Sequence, residues 1–430
     1  MTLPLAKSAE RSIAERLDVL RVNPDWAKLP LFDRKGWKRV RFDEVVENLN
    51  ETCDPTESGI ERFIGLEHLE PGSLHIRSWG NTSDGTTFTR RCRPGQVLFG
   101  KRRAYQRKVA VAEFDAVVSG DIYVLAAKKD RLLPELLSFV CLSERFFKFA
   151  VETSAGSLSP RTNWSHIAQF EFALPPLDQQ RRIAEMLWDI DQVLATWKRM
   201  TIQLTKLQAV KLKEMMLGIS NLAHVKDIGA YVPPRGWVVK KAEDLVTSPI
   251  TKGATPSPYL NTKKATIPFI KVYNLTFEGE LDFAKDPTYV EPHIHQTDLK
   301  RSRLRPGDIL MNLVGPPLGK TALIPEDFAA ANVNQAIAIY RIQDEIVRAF
   351  FAHYLRSDVA QKWLERRSKK TSGQRNLTLE LAQELPVPIP PPEVMVAVVE
   401  AARAFSVARR TMDDGVKKVL ELQRSVINQL

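Results

Sequence analysis

What is scarce in these 430 residues narrows their function first. Cysteine is nearly absent. The three present, Cys53, Cys92 and Cys141, stand far apart. They form no disulfide framework and no CxxC metal pair, which points to a reducing cytoplasm. No stretch of 18 apolar residues occurs, so no transmembrane helix and no membrane partner are expected. Met1 to Leu17 carries early charges and lacks the apolar core of a secretory signal.

Catalytic signatures are equally thin. A stand-alone adenine methyltransferase needs an Asn/Asp-Pro-Pro-aromatic loop and a Gly-rich cofactor turn. The nearest match, Asn23-Pro24-Asp25-Trp26, lacks the second proline and sits in a linker. Gly315-Pro316-Pro317-Leu318-Gly319-Lys320-Thr321 looks like a phosphate loop. Its glycines are one residue too close for G-x-x-x-x-G-K-[ST], and its prolines remove N–H donors that a phosphate would use. A structural or DNA-contacting turn fits better. His293 and His295 have no third ligand at a familiar spacing and read as a solvent loop. No G-x-S-x-G elbow and no Cys–His signature occurs.

What is present is positive charge, length and repetition. The formal net charge is +11 and the pI about 9.4, which suits a polyanion, nucleic acid before anionic membrane. The length implies two or three domains. Residues 175–218 open with Pro175-Pro176 and then hold no Pro or Gly until Gly218. Asp178 stands at the expected N-cap. Ile183, Leu187, Ile190, Leu194, Trp197 and Leu204 recur at spacings of four and three, with Thr201 in the remaining slot. This is a coiled-coil seam of about three heptads, on a helix about 60 Å long. A long amphipathic core helix would show the same stripe. Residues 390–430 repeat the device: a proline run, then Val416, Leu420, Gln423, Ile427 and Leu430 at like spacings.

The rest of the chain also repeats. Gly236-Trp237 matches Gly36-Trp37, and Arg305-Pro306-Gly307 matches Arg93-Pro94-Gly95. Leu385 to Pro391 matches Phe170 to Pro176. The offset grows from 200 to 215 residues, so the halves are diverged copies with insertions. The expected layout is a helix (8–22) and linker in 1–35, a globular domain in 36–174, the central helix in 175–218, a linker in 219–235, a second domain in 236–389 and the distal helix in 390–430. Within the first domain, strands are expected at Phe63–Leu66, Val97–Phe99, Val109–Val111, Ile122–Leu125 and Phe170–Leu174, and helices at Leu132–Ala150 and Trp164–Ala168.

Two basic clusters fall in what read as loops. From Arg90 to Lys108 there are eight basic residues and no acidic one: Arg90, Arg91, Arg93, Lys101, Arg102, Arg103, Arg107 and Lys108, with Tyr105 among them. Arg366, Arg367, Lys369, Lys370 and Arg375 lie within ten residues of the second copy. Arg161, Lys252 and Lys320 complete the candidate DNA contacts. Lys and Arg neutralise phosphates, and Arg, Asn and Gln also reach base edges. A solvated basic face that binds nothing is the plainer alternative.

The combination resembles the specificity subunit of type I restriction-modification systems. Gly65-Leu66-Glu67-His68-Leu69-Glu70-Pro71-Gly72, Tyr105-Gln106-Arg107-Lys108-Val109 and Pro175-Pro176-Leu177-Asp178-Gln179-Gln180-Arg181-Arg182-Ile183-Ala184 carry the likeness in the first half. Gly253-Ala254-Thr255-Pro256, Arg305 to Leu310 and Asn334-Gln335 carry it in the second. Pro390-Pro391-Pro392-Glu393-Val394 departs, because it lacks the Gln-Arg-Arg-Ile continuation. The resemblance implies a mixed α/β chain. Two similar target-recognition domains would be separated by two long helices pairing as an antiparallel coiled coil. Each domain would read half of a bipartite site in double-stranded DNA. The helices would dock two modification subunits, which bring S-adenosylmethionine and methylate adenine. Restriction subunits, where present, would bring ATP and Mg2+. The chain itself would hold no catalytic residue, metal or cofactor. A methylation-only or other phage-defence complex is the alternative within the family. A stand-alone methyltransferase and a scaffold without DNA are the alternatives outside it.

Overall fold

The computed structural model describes residues 32–156, 158–218, 228, 231–315, 318–328, 330–371 and 373–430. The helix expected over 8–22 lies outside them, as does most of the linker 219–235. The chain divides into two units, Met1–Met200 with Thr411–Leu430, and Thr201–Arg410. Each unit therefore holds one globular domain and a stretch of each long helix.

In the first unit, Lys38–Arg41 pairs antiparallel with Glu171–Leu174 and ties the two ends of the domain together. An antiparallel sheet runs in the order Val46–Leu49, Ile122–Ala127, Val97–Gly100, Val109–Val111. Val97–Gly100 is buried along its whole length, so it reads as a continuous apolar run rather than an alternating one. A second sheet orders Gly80–Asn81, Arg62–Ile64, Ala116–Val118, Arg90–Cys92, and its central pair is parallel. Helical residues Leu136, Phe139, Val140 and Phe146 share one core with Phe99, Val109 and Leu125 of the first sheet.

The single helix expected over Leu132–Ala150 is two, Pro134–Leu142 and Glu144–Glu152. Ser143 breaks it: its Oγ accepts from the Phe146 N–H and caps the second helix. The strand expected at Phe63–Leu66 ends at Ile64, and Leu66–His68 forms a 3₁₀ turn.

The second unit repeats the plan. Val238–Lys241 pairs with Pro386–Ile389. Thr251–Lys252, Ile337–Tyr340, Ile309–Asn312 and Thr321–Leu323 form the four-stranded sheet in the corresponding order. Glu345–Leu355 and Asp358–Arg367 supply the helical cover, capped by Asp344 and Ser357.

The central helix spans Leu177–Leu217 and the C-terminal helix Pro392–Ile427. Asp178 falls in the first turn rather than at the N-cap, because the helix begins at Leu177, two residues before the start that an Asp178 cap implies. In the first unit, Ile183, Leu187, Ile190 and Leu194 share a core with Val419, Leu422, Val426 and Ile427. In the second, Leu212 and Met216 share one with Met395, Val398, Val399 and Ala402. Low numbers on one helix meet high numbers on the other, so the pairing is antiparallel. The seam is less uniform than the heptads suggest. Leu204 is half-buried, and Val416 and Leu420 yield the most buried places to Val419 and Leu422. The reason is that these helices also pack on the domains, which widens the apolar stripe beyond a two-position seam.

The sequence Pro175 to Ala184 gains a physical meaning here. Gln180 is 1% exposed; its amide donates to the carbonyls of Pro175 and Arg131 at 2.8 and 2.9 Å and accepts from the Leu133 N–H at 2.9 Å. Gln179 accepts from Trp37 Nε1 at 3.0 Å and donates to the Asp33 carbonyl. Two glutamines thus fasten the start of the helix to its domain. The distal helix lacks them, which is where the second motif departs.

A polar joint sits within the apolar seam. Gln423 Nε2 donates to Asp191 Oδ1 at 3.2 Å, and both residues are 5% exposed. His75 Nε2 meets the other Asp191 oxygen at 2.7 Å, while its Nδ1 meets Glu113 at 2.9 Å. Domain, central helix and C-terminal helix therefore share one carboxylate.

Two outcomes follow. Glycine inside a helix ordinarily costs about 0.5–1 kcal/mol relative to alanine. At Gly415, however, a Cβ would overlap the Trp197 ring. Gly415→Ala should therefore destabilise, by about 1–3 kcal/mol of overpacking, read as a lower denaturation midpoint at constant slope. A higher midpoint would show that Trp197 does not cover this face. The second outcome concerns pH. The hydrogen bond to Asp191 holds the His75 imidazolium above the usual histidine range, against the cost of partial burial and with help from Glu113. Its contribution is complete below about pH 6.5, the unfolded value, and disappears as pH rises through the raised native value. The gap in melting temperature between the parent chain and His75→Ala should close toward high pH; a gap constant with pH would contradict the joint.

Candidate nucleic-acid interface

Few of the basic residues are free to meet a ligand. Arg90 and Arg91 lie on the strand Arg90–Cys92, not in a loop. Arg91 forms a paired contact with Asp115, its Nε 3.0 Å from Oδ1, and Glu51 lies 3.5 Å away. The Asp115 carboxyl is held below its usual range mainly by that bond. Arg93 is bidentate to Glu51, Arg107 binds Glu144 at 2.7 Å, and Arg90 donates to the Ile122 carbonyl. Lys108 donates to the Leu66 carbonyl at 2.6 Å. These cations hold the domain together. The run from 90 to 108 contains no acid because its acids arrive from elsewhere in the chain: Glu51 and Asp115 from loops and Glu144 from a helix.

The others converge on one feature. Lys101–Arg103 continues from the strand Val97–Gly100 and forms a small ladder. Arg102 bridges Arg161, and Arg161 bridges Ala155. The Thr162 N–H donates to the Lys101 carbonyl and the Arg103 N–H to the Pro160 carbonyl. Arg161 and Arg102 flank Asp121, at 2.9 and 3.7 Å. Lys101 has no acidic partner within salt-bridge distance among the described residues. Its ammonium is lowered by desolvation first and then by Arg90 and Arg161, with Asp121 only partly compensating. A cation so placed is relieved by an arriving anion.

The second unit builds the same ladder from different residues. Val314–Gly315 pairs with Gln374–Asn376, which pairs with Lys369–Thr371. The Leu377 N–H donates to the Leu313 carbonyl as Thr162 does to Lys101. Lys369, Lys370 and Arg375 are therefore on strands, and Arg366 and Arg367 close the preceding helix. The loop expectation fails for all five. Arg375 lies 3.4 Å from Glu365, and Arg367 covers the Trp363 ring. Lys369 and Lys370 have no acidic partner within salt-bridge distance among the described residues. In the first unit most of the charge comes from the strand extension, with Arg161 on the facing hairpin; in the second unit's ladder it comes from the hairpin.

The phosphate-loop look-alike is the counterpart of the turn after Arg103. The Asn312 N–H donates to the Lys320 carbonyl at 3.1 Å, as Gly100 does to Lys108 at 2.9 Å. Lys320 thus stands where Lys108 stands, and its Nζ lies 5.9 Å from the Phe277 ring centre. Pro316 and Pro317 lie outside the described residues. Lys252 is exposed on the edge strand Thr251–Lys252, apart from this ladder. His295 contacts Asn332, and His293 lies 3.3 Å from Glu291.

The family model of the type I restriction modification DNA specificity domain matches residues 35–206 and again 234–400. The chain belongs to this family. The specificity subunit of the type I restriction enzyme EcoDI from Escherichia coli is 26% identical over 157 residues, which is 34% of this chain and 33% of that one. That match spans about a third of the relative's length. The MjaVIII specificity subunit of Methanocaldococcus jannaschii is 21% identical over 403 residues, covering 90% of this chain and 87% of its own. Two solved structures share the fold. One comes from work on complex assembly and conformational transition of a type I R-M system, with a TM-score of 0.58, 20% identity and coverage of 91% and 97%. The other is the S subunit from M. genitalium, with a TM-score of 0.53, 16% identity and coverage of 92% and 96%.

The two sets of cations should separate in solution. Lys369→Ala with Lys370→Ala should flatten the dependence of log affinity on log salt by about two units, one per lost phosphate contact. Arg91→Ala should lower the unfolding midpoint and leave the slope alone. Equal slopes for all three proteins would place DNA away from the ladder.

Proposed function

We propose that this chain is the sequence-reading and assembly component of a type I restriction-modification complex, each domain reading one half of a bipartite site in double-stranded DNA. One observation carries this reading: the same small ladder recurs in both units and carries basic side chains of different origin in each. A duplicated frame with different side chains suits two half-sites of different sequence. The site residues assigned by this reading are Lys101, Arg102, Arg103, Tyr105 and Arg161 in the first unit, and Lys320, Lys369, Lys370 and Arg375 in the second. The helices would present the docking surface for two modification subunits. Ile202, Leu207 and Val210, exposed on the central helix, support a partner there. Chemistry would belong to those partners: S-adenosylmethionine on the modification subunits, and ATP with Mg2+ on restriction subunits where present.

The helix length would then set the gap between half-sites. Four residues inserted after Thr205 add about 6 Å of helix, or roughly one or two base pairs at about 3.4 Å each. In cells carrying the variant and its modification subunit, a genome-wide map of methylated adenine should show unchanged half-sites around a longer gap. Altered half-sites around the old gap would mean that the helix itself reads DNA.

A further inference from the structure

The turn after Arg103 is held more firmly than an exposed turn requires. Among the described residues only four non-glycine residues have left-handed backbone, and two of them, Arg103 (φ 55°) and Arg107 (φ 57°), bracket the short turn Ala104–Gln106. Side chains lose favourable backbone space there, and the surroundings must hold such residues in place. Both arginines are held. Arg103 Nε donates to Ser159 Oγ at 3.2 Å. Arg107 donates to Glu144 and to the Leu142 carbonyl, and its guanidinium lies 4.7 Å over the Phe147 ring. Ala104 is buried beneath the turn, and the N–H groups of Gln106 and Arg107 close it onto the Arg103 and Ala104 carbonyls.

The result is a rigid platform that offers two side chains. Tyr105 is 56% exposed. Gln106 is half-buried, and its carboxamide has no hydrogen-bond partner among the described residues. The flanking arginines are engaged in holding the platform, so the role left to Arg103 in the interface is phosphate contact rather than base reading. A carboxamide with one acceptor and two donors matches the N6 and N7 edge of adenine in the major groove.

We propose that Gln106 is a base-reading residue of the first unit, addressing the adenine of one A·T pair. This rests on the DNA-reading function proposed above. The second unit sharpens it. Counting back from the matched Lys108 and Lys320, Leu318 takes the place of Gln106, and Gly319, also left-handed, takes that of Arg107. That turn offers no carboxamide, so Gln106 should govern one half-site and have no counterpart at the equivalent turn of the other.

The test uses the full complex of this chain with its modification subunit, and maps methylated adenines for three proteins. The parent complex should methylate a defined bipartite motif. Gln106→Ala should relax one A·T position in one half-site, about tenfold in discrimination, leaving the other half-site and the gap unchanged. Gln106→Glu, similar in shape but an acceptor only, should move preference at that position toward C. The Glu variant carries the test if the Ala variant does not assemble. Unaltered discrimination at every position in both variants, with the parent motif intact, would overturn the role of Gln106 and leave the proposed function standing. Relaxation at a G·C position would overturn the assignment to adenine. A parent complex whose methylation follows no bipartite motif would remove the function itself, and this inference with it.

Discussion

Asp191 is a carboxylate buried where two long helices bury their apolar stripes. Hydrophobic burial alone tolerates sliding, because one leucine or valine substitutes for the next along a stripe. A buried polar group does not, since a shift would leave it without a partner. Gln423 answers Asp191 from the opposing helix, and His75 answers it from the globular domain. The contact therefore fixes which turn of one helix faces which turn of the other, and where the domain sits on both within the first unit. Gly415 under Trp197 adds a steric condition to the same register.

With the helices fixed, each domain is bound at its own two ends. The antiparallel pairs Lys38–Arg41 with Glu171–Leu174, and Val238–Lys241 with Pro386–Ile389, place the helix starts beside the domain starts. Gln179 and Gln180 then clamp the first junction. From such a base, the four-stranded sheet extends a strand into the ladder that carries Lys101 or Val314. Position on this ladder, rather than position in the alignment of the two halves, unites the basic residues. Arg161, at an isolated bridge, and Arg375, on the strand Gln374–Asn376, sit in unrelated sequence contexts yet occupy neighbouring places of the ladder.

Much of this was legible in the sequence. The duplication, the paired long helices and the proline boundaries all follow from periodicity and from matched short motifs, because those features are local. The contents of the ladder were legible only as charge. That Arg91 and Arg107 are held by Asp115 and Glu144 could not be read, since the partners are 24 and 37 residues away and meet only through the tertiary fold. The break at Ser143 was hidden by strong apolar periodicity on both sides of it. The role of Gln106 is not legible in the sequence, because nothing in composition reveals that Arg103 and Arg107 adopt left-handed backbone. His75 meets Asp191 and Glu113 only through the tertiary fold, since these partners lie 116 and 38 residues away.

The central claim is that equivalent ladders in the two units face DNA. Amide hydrogen exchange on the assembled complex, with and without its DNA, tests this directly. The account predicts added protection in both units, at residues 101–107 and 155–162 in the first and at 313–320 and 369–377 in the second. Protection confined to one unit, or lying on the four-stranded sheets while these segments exchange as before, would contradict it.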